Sequence, residues 1–274
     1  MNIRPADFVL EIGSGHNPKA RSDVLCDKFI DDDHQRGGGI VADRSMIEAD
    51  GQHLPFADRS FDYVICSHVL EHVENPKLMI SELERVASRG YIEVPSEISE
   101  RLYGWSYHLW IFNLIDGKLL IQKKVDLNQF GQLFHTLVTQ DKNFLHFHKK
   151  YHPIFLVHYE WEQKIDYEFR DSNAPALDFN SSEIINRMLM DVQNVPWLEK
   201  WRPIIKDLIP RKMVSSLKTM IAKQRRQPSK TLRDIVVCPS CKEEVKWEDK
   251  IIYCSHCDTD YPIVGGIPRL ILET

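Results

Sequence analysis

The chain has 274 residues, 43% of them hydrophobic and 10% aromatic, enough to fill one large core and a small second one. A net charge of −5 argues against a protein coated in nucleic acid, and the longest apolar runs, such as Leu109 to Ile115, are far short of a membrane span. The N-terminus lacks a basic start followed by an apolar stretch, so a soluble, cytoplasmic protein is expected.

The first third alternates short apolar runs with turn signals and helical segments, the pattern of an α/β fold. Phe8 to Ile12 reads as a buried strand ending in Gly13-Ser14-Gly15, and Val24 to Asp27 as a second strand ending in an acid. Phe61 to Ser67 is a third, entered through the turn Ala57 to Ser60. Asn75 can cap a helix with Pro76 at its first position; Met79, Leu83 and Val86 form its apolar stripe, and Gly90 is read as its stop. Tyr91 to Val94 follows as a strand, which makes a parallel βαβ unit.

From about Glu97 the pattern changes. Trp105 to Trp110 is an aromatic cluster, and Ile111 to Lys123 reads as a hairpin turning at Asp116-Gly117. Leu127 to Thr139 has a helical stripe, and Phe155 to Phe169 alternates like a strand. These pieces are expected to complete the sheet and wall a substrate site. Glu183 to Val192 and Met213 to Lys223 read as helices, and Gln227-Pro228-Ser229 as a linker. The expected division is 1–226 as the main domain, with its cofactor-binding core at 7–96, then a linker at 227–233 and a small domain at 234–274.

A strand running into Gly13-Ser14-Gly15 offers bare backbone to a ligand. A dinucleotide would want a third glycine and a helix N-terminus for its pyrophosphate, but position 18 is proline and the segment before Val24 is too short for a full helix. In order and spacing, VLEIGSGHNP, VLCDKF, EADGQHLPFADRSFDYVICSHVLEHVENP and GYIEVPS resemble class I S-adenosylmethionine (SAM) dependent methyltransferases. The resemblance covers the first third of the chain and implies a Rossmann-like sheet. It implies Gly13 and Gly15 under the methionine moiety of SAM and Glu11 near its ammonium. It also implies Asp27 on the ribose hydroxyls, Asp50 with Gly51 at the adenine amine, and His68 close to the sulfonium. Asn17 stands where the family usually has a third glycine.

Methyl transfer from a sulfonium is an in-line displacement, so the enzyme must align the acceptor and remove its proton. His72 and His68, with Glu71 between them, are the candidate catalytic residues. Each histidine has a competing role in packing or hydrogen bonding. The aromatics from Trp105 to Trp110 either stack on an acceptor ring or belong to the core. His146, His148 and His152 invite a metal, but no carboxylate or cysteine accompanies them. The tetrapeptide Asn-Pro-Pro-Tyr, typical of methyltransferases acting on exocyclic or amide nitrogen, is replaced by Cys66-Ser67-His68, which favours oxygen or carbon acceptors.

Cys238, Cys241, Cys254 and Cys257 form two CxxC pairs separated by twelve residues, a spacing suited to tetrahedral Zn²⁺. Cys26 and Cys66 stand alone in apolar strands and are expected to be buried. Around the four cysteines, CPSC, YCSHC and YPIVGGIPRLIL resemble the small zinc-ribbon proteins that activate tRNA, rRNA and release-factor methyltransferases. That resemblance implies a ribbon that docks by strand pairing on its own catalytic domain through Ile263 to Leu272. Between Lys200 and Arg233 there are 11 Lys or Arg and only Asp207 as an acid. This block reads either as a helix packed on the main domain with a solvated basic face, or as a contact for anionic lipid, phosphorylated glycan or RNA. The expected function is methylation of a small-molecule or glycan acceptor at oxygen; the rivals are an RNA or protein methyltransferase and a non-catalytic SAM-binding or zinc scaffold.

Overall fold

Five parallel strands form the centre of the computed structural model, which describes residues 1–32, 38–125, 130–171, 175, 177–193, 220 and 230–272. They are β1 (Val9–Ile12), β2 (Val24–Asp27), β3 (Met46–Ala49), β4 (Tyr63–Ser67) and β5 (Arg89–Pro95). Every residue of β1, β2 and β3 is buried, because layers cover both faces, and such strands show continuous apolar runs in place of alternation. The spatial order is β3-β2-β1-β4-β5, so the winding direction reverses between β1 and β4. In open α/β sheets, ligands bind at the carboxyl ends of the strands beside such a reversal.

Between β1 and β2 the chain is loop throughout, as Pro18 and the short spacing require. Between β4 and β5 runs α1 (Pro76–Val86). The Asn75 side chain accepts a hydrogen bond from the Leu78 amide at 3.1 Å, and Met79, Ile80, Leu83 and Val86 are buried. Gly90 does not end this helix. The helix stops at Ala87 in extended backbone, and Gly90 lies inside β5, where a Cβ would sit 2.7 Å from the Val64 carbonyl and 2.8 Å from the Trp161 ring.

The next segment begins with α2 (Glu97–Tyr103), capped by Ser96 and closed by Gly104 in a left-handed conformation. The expected hairpin is β6 (Trp110–Ile115) and β7 (Lys118–Lys123), with Asp116 and Gly117 both at positive φ. It does not complete the main sheet. Its strands join β9 (Tyr167–Arg170) in a separate three-stranded sheet. The stretch from Phe155 to Phe169 is broken by Gln163 at φ 64°, and only its first part, β8 (Leu156–Glu162), pairs antiparallel with β5. Helices α3 (Gly131–Gln140), α4 (Lys142–Lys150), α5 (His152–Phe155) and α6 (Ser182–Gln193) complete this region. The expected helix at Met213 to Lys223, the linker at 227–229 and most of the basic block lie outside the described residues. Among the described residues no helix is long and apolar enough to cross a membrane.

The C-terminal region comprises α7 (Leu232–Ile235) and the antiparallel strands β10 (Lys246–Trp247), β11 (Ile251–Cys254), β12 (Thr259–Val264) and β13 (Ile267–Leu270). Within the stretch expected to dock, Arg269 pairs with Glu48 and Leu270 with Ala49, so β13 adds a parallel strand beside β3 and the sheet grows to ten strands among the described residues. A second tie runs through Phe56: the Ala57 amide donates to the Ile235 carbonyl at 2.8 Å, and the Val237 amide to that of Pro55 at 3.0 Å. A third is the Lys242 ammonium, 2.9 Å from a Glu82 oxygen and 3.1 Å from the Leu54 carbonyl. One apolar cluster contains Met79 and Phe56 together with Ile252, Tyr261 and Leu270.

Burial pushes the Glu82 carboxyl up, but hydrogen bonds from Arg85 and Lys242 outweigh it and hold the group below the usual carboxylate range. A carboxyl lowered in this way stabilises the fold above its unfolded pKa and loses that contribution as the pH falls through its folded value. Lys242→Met should therefore lower stability by about 1 kcal/mol at neutral pH, a few degrees in melting temperature. The gap from the parent should close below about pH 4, and a gap independent of pH in thermal melts would contradict this account.

Candidate active site and four-cysteine centre

The turn after β1 is held open by left-handed glycines, Gly13 at φ 68° and Gly15 at φ 52°. A Cβ on Gly13 would lie 2.1 Å from Val69 Cγ2, so this turn lies directly against the segment that follows β4. The Cys26 carbonyl accepts the Gly13 amide at 2.8 Å, and Asp27 accepts the amides of Gly15 at 2.9 Å and Phe29 at 3.0 Å. Glu11 is buried beneath, accepting the Lys19 amide at 2.8 Å and the Ser22 hydroxyl at 2.7 Å. Burial raises its pKa against those bonds. Glu11 thus folds the loop that replaces a crossover helix and shapes the turn from below. At the end of β3, Asp50 meets the Lys28 ammonium at 2.7 Å and the Gln52 amide at 2.9 Å. Burial opposes its charge, yet these partners lower its pKa. Gly51 leaves room for Met79, whose Cε would be 2.9 Å from a Cβ there. The structure therefore gathers Gly13, Gly15, Asp27, Asp50 and Gly51 at the carboxyl ends of three neighbouring strands.

The proposed catalytic residues form one group beside that turn. His68 has left-handed backbone, φ 56°, immediately after β4. Its Nδ1 is 3.3 Å from Glu71 Oε1 and its Nε2 is 3.6 Å from Glu93 Oε1. Burial works against protonation of His68, but the two carboxylates prevail and raise its pKa. His72 stacks on Tyr107 at 5.5 Å and meets His108 edge-on at 4.7 Å. Burial lowers its pKa in spite of Glu71, which favours the neutral imidazole. Glu93, absent from the residues singled out in the sequence, lies at the centre of a wider network. It accepts from the Ser67 hydroxyl at 2.6 Å and the Tyr91 hydroxyl at 2.7 Å, with His158 Nδ1 at 3.4 Å and Lys19 Nζ at 3.7 Å. Burial raises its carboxyl, and these donors hold it far below its ordinary range. Its signal was an acid near the end of GYIEVPS, beside the end of the strand that carries His68.

The cluster from Trp105 to Trp110 is divided between wall and core. Tyr107 and Leu109 are each 40% exposed, whereas His108 is buried and Trp110 donates its Nε1 hydrogen to the Val73 carbonyl at 2.8 Å. The run His146, His148, His152 does not converge on an ion. His148 stacks on Phe155 at 4.5 Å, and His152 packs near His158 at 5.8 Å. Cys26 and Cys66 are fully buried, and burial pushes both thiols up.

Cys238, Cys241, Cys254 and Cys257 bring four sulfurs within 4.8 Å of one another, all free of disulfides. Cys238 and Cys257 sulfurs are 3.9 Å apart, Cys241 and Cys254 sulfurs 3.6 Å. A tetrahedron with metal–sulfur bonds of about 2.3 Å has edges of about 3.8 Å, so the set fits a Zn²⁺-sized ion with no position left open.

Residues 25–92 match the family model described as a methyltransferase domain. An uncharacterized protein of Methanocaldococcus jannaschii is 51% identical over 45 residues, 16% of this chain and 22% of its own length. The ubiquinone/menaquinone biosynthesis C-methyltransferase of Haemophilus ducreyi is 29% identical over 86 residues, 30% of this chain and 33% of its own length. The chain thus spans a third or less of the length of these two relatives. A solved SAM-dependent methyltransferase of Thermotoga maritima overlaps 34% of this chain and 47% of its own, with 17% identity and a TM-score of 0.28.

Gly13→Ala should destabilise the protein by about 2 kcal/mol, through strained φ and collision with Val69. Adding Val69→Ala should recover only the part due to collision. Denaturant unfolding of the single and double variants checks this, and full recovery would show that φ contributes nothing.

Proposed function

We propose that the chain is a SAM-dependent methyltransferase acting on a small-molecule or glycan acceptor, with oxygen as the methylated atom. The observation that carries this is the glycine turn and row of acids at the ends of β1, β2 and β3, beside the reversal between β1 and β4, in a region overlapping the methyltransferase-domain match. SAM supplies a methyl group on a sulfonium, an excellent leaving group. Gly13 and Gly15 present bare backbone to its methionine moiety, Asp27 offers an acceptor to the ribose diol, and Asp50 with Gly51 to the adenine amine. Glu11 acts on the ammonium side, through the loop it organises. His68, Glu71 and His72 are the candidate residues of the adjoining segment, where the acceptor's proton must leave.

The name of the Haemophilus ducreyi relative supports a second reading, a ring carbon of a small molecule as acceptor. Both fit the absence of Asn-Pro-Pro-Tyr. Labelled SAM fed to cell extract, followed by separation of small molecules, glycolipid, RNA and protein, discriminates among acceptors. Product analysis for a methyl ether against a carbon-bound methyl then decides the atom, and label confined to RNA would overturn the proposal. In calorimetric titration, Asp50→Ala should bind SAM at least about tenfold more weakly than the parent, the loss expected for a charge-assisted hydrogen bond. Equal affinity would remove Asp50 from the site.

Residues 234–274 are proposed as a zinc ribbon that stabilises the main domain, proposed as 1–226. The ion would contribute on the order of 10 kcal/mol to folding the ribbon, and β13 transmits that order to β3. Chelation, or Cys254→Ser, should lower the melting temperature of the whole chain and expose the edge of β3 to amide exchange. Unchanged exchange at Ile47 to Ala49 would separate the two regions.

A further inference from the structure

Beside the glycine turn, two buried polar groups lack hydrogen-bond partners. Glu71 is fully buried and neither of its oxygens accepts a hydrogen bond; Nδ1 of His72 is also buried and unpartnered. A buried carboxylate without donors costs several kcal/mol, so such a group calls for a proton or a cation. The half-exposed ring of His68, 3.3 Å away, is its ion-pair neighbour.

The third member of the cluster is His108. Its Nδ1 is hydrogen-bonded to Glu100, a fully buried carboxylate that also pairs with the Lys124 ammonium at 2.7 Å. With a proton on Nδ1, the lone pair is fixed on Nε2, the carboxylate–histidine arrangement that prepares an imidazole as a metal ligand. One ligand atom from each of Glu71, His72 and His108 lies within 4.8 Å of the others. A backbone bond ties the segment of Glu71 to that of His108, the Leu109 amide donating to the Glu71 carbonyl at 2.8 Å, and the turn carrying His72 is closed by its amide donating to the Val69 carbonyl at 3.0 Å. Trp110 clamps Val73 from the same side.

We propose that Glu71, His72 and His108 bind a divalent first-row transition-metal ion of the zinc or iron(II) class, with Glu100 orienting His108. Two imidazoles and one carboxylate are borderline ligands suited to that class, and three protein ligands leave at least one position open for an oxygen ligand. An ion would draw the three ligand atoms to about 3.5 Å from one another, a modest closure of side chains on a braced backbone. Through Val69 the site adjoins the Gly13 turn, so the open position suits an acceptor oxygen; this last step rests on the methyl-transfer proposal, whereas metal binding does not.

The test uses the full chain loaded with one equivalent of Zn²⁺, which the four cysteines take first, and Co²⁺ as the probe. One further equivalent of Co²⁺ should bind, with d–d absorption and no thiolate-to-cobalt charge-transfer band. Glu71→Gln and His108→Ala should abolish that equivalent, and Glu100→Gln should weaken it about 10- to 100-fold. Glu71→Gln removes an unpartnered buried charge at constant shape, so it decides the matter if His108→Ala does not fold. Absence of a second equivalent, a thiolate band accompanying it, or unchanged binding in Glu71→Gln would each overturn the proposal. SAM affinity is measured separately by calorimetry, so failure of the methyl-transfer reading and failure of the metal site give different results.

Discussion

The contact between Gly13 and Val69 joins the two halves of the site. Reversal of the strand order sends the chain away from β1 and β4 in opposite directions, and the space between their carboxyl ends is where a ligand can enter. Only a residue without a Cβ lets the first turn lie against the second, and left-handed backbone at His68 turns the chain as it leaves β4, ahead of Glu71 and His72. The glycine turn and the segment carrying His68, Glu71 and His72 therefore meet across this approach, and a shift of either turn would part them.

The opposite end of the molecule serves this centre indirectly. Without β13, strand β3 would be a sheet edge ending at Asp50, with unpaired backbone groups open to other chains. The C-terminal strands cover that edge, and Lys242 and Phe56 tie them to α1 and to the loop before β4. The region of the four cysteines thus reaches the strand before Asp50 through two residue pairings.

Around His68 and His108 the polar network extends well beyond the residues proposed for methyl transfer. Glu93 collects hydrogen bonds from β4, β5 and β8, while Glu100 and Lys124 brace His108 from behind. Buried polar groups supported in this way are rigid, and rigidity fixes the distance between ligand atoms on adjacent segments. Glu71 is the exception, fully buried with only the half-exposed His68 ring, 3.3 Å away, as its ion-pair neighbour among the described residues.

The sequence by itself determined the local elements: four of the five strands of the parallel sheet, the Asn75-capped helix, the hairpin at Asp116-Gly117 and the four-cysteine cluster. Each depends on residues within a few positions of one another. It placed the glycine turn and its acids in the right order because strand ends recur at regular spacing. Gly90 was ambiguous, since a glycine serves equally as a helix stop and as a gap for a tryptophan ring 71 positions away. Only the tertiary structure decided that the hairpin forms its own sheet, that β13 extends the main one, and that Glu93 lies beside His68 and His108 beside His72. Strand partners and buried charge neighbours are chosen by the packing of distant segments, and no local periodicity records that choice.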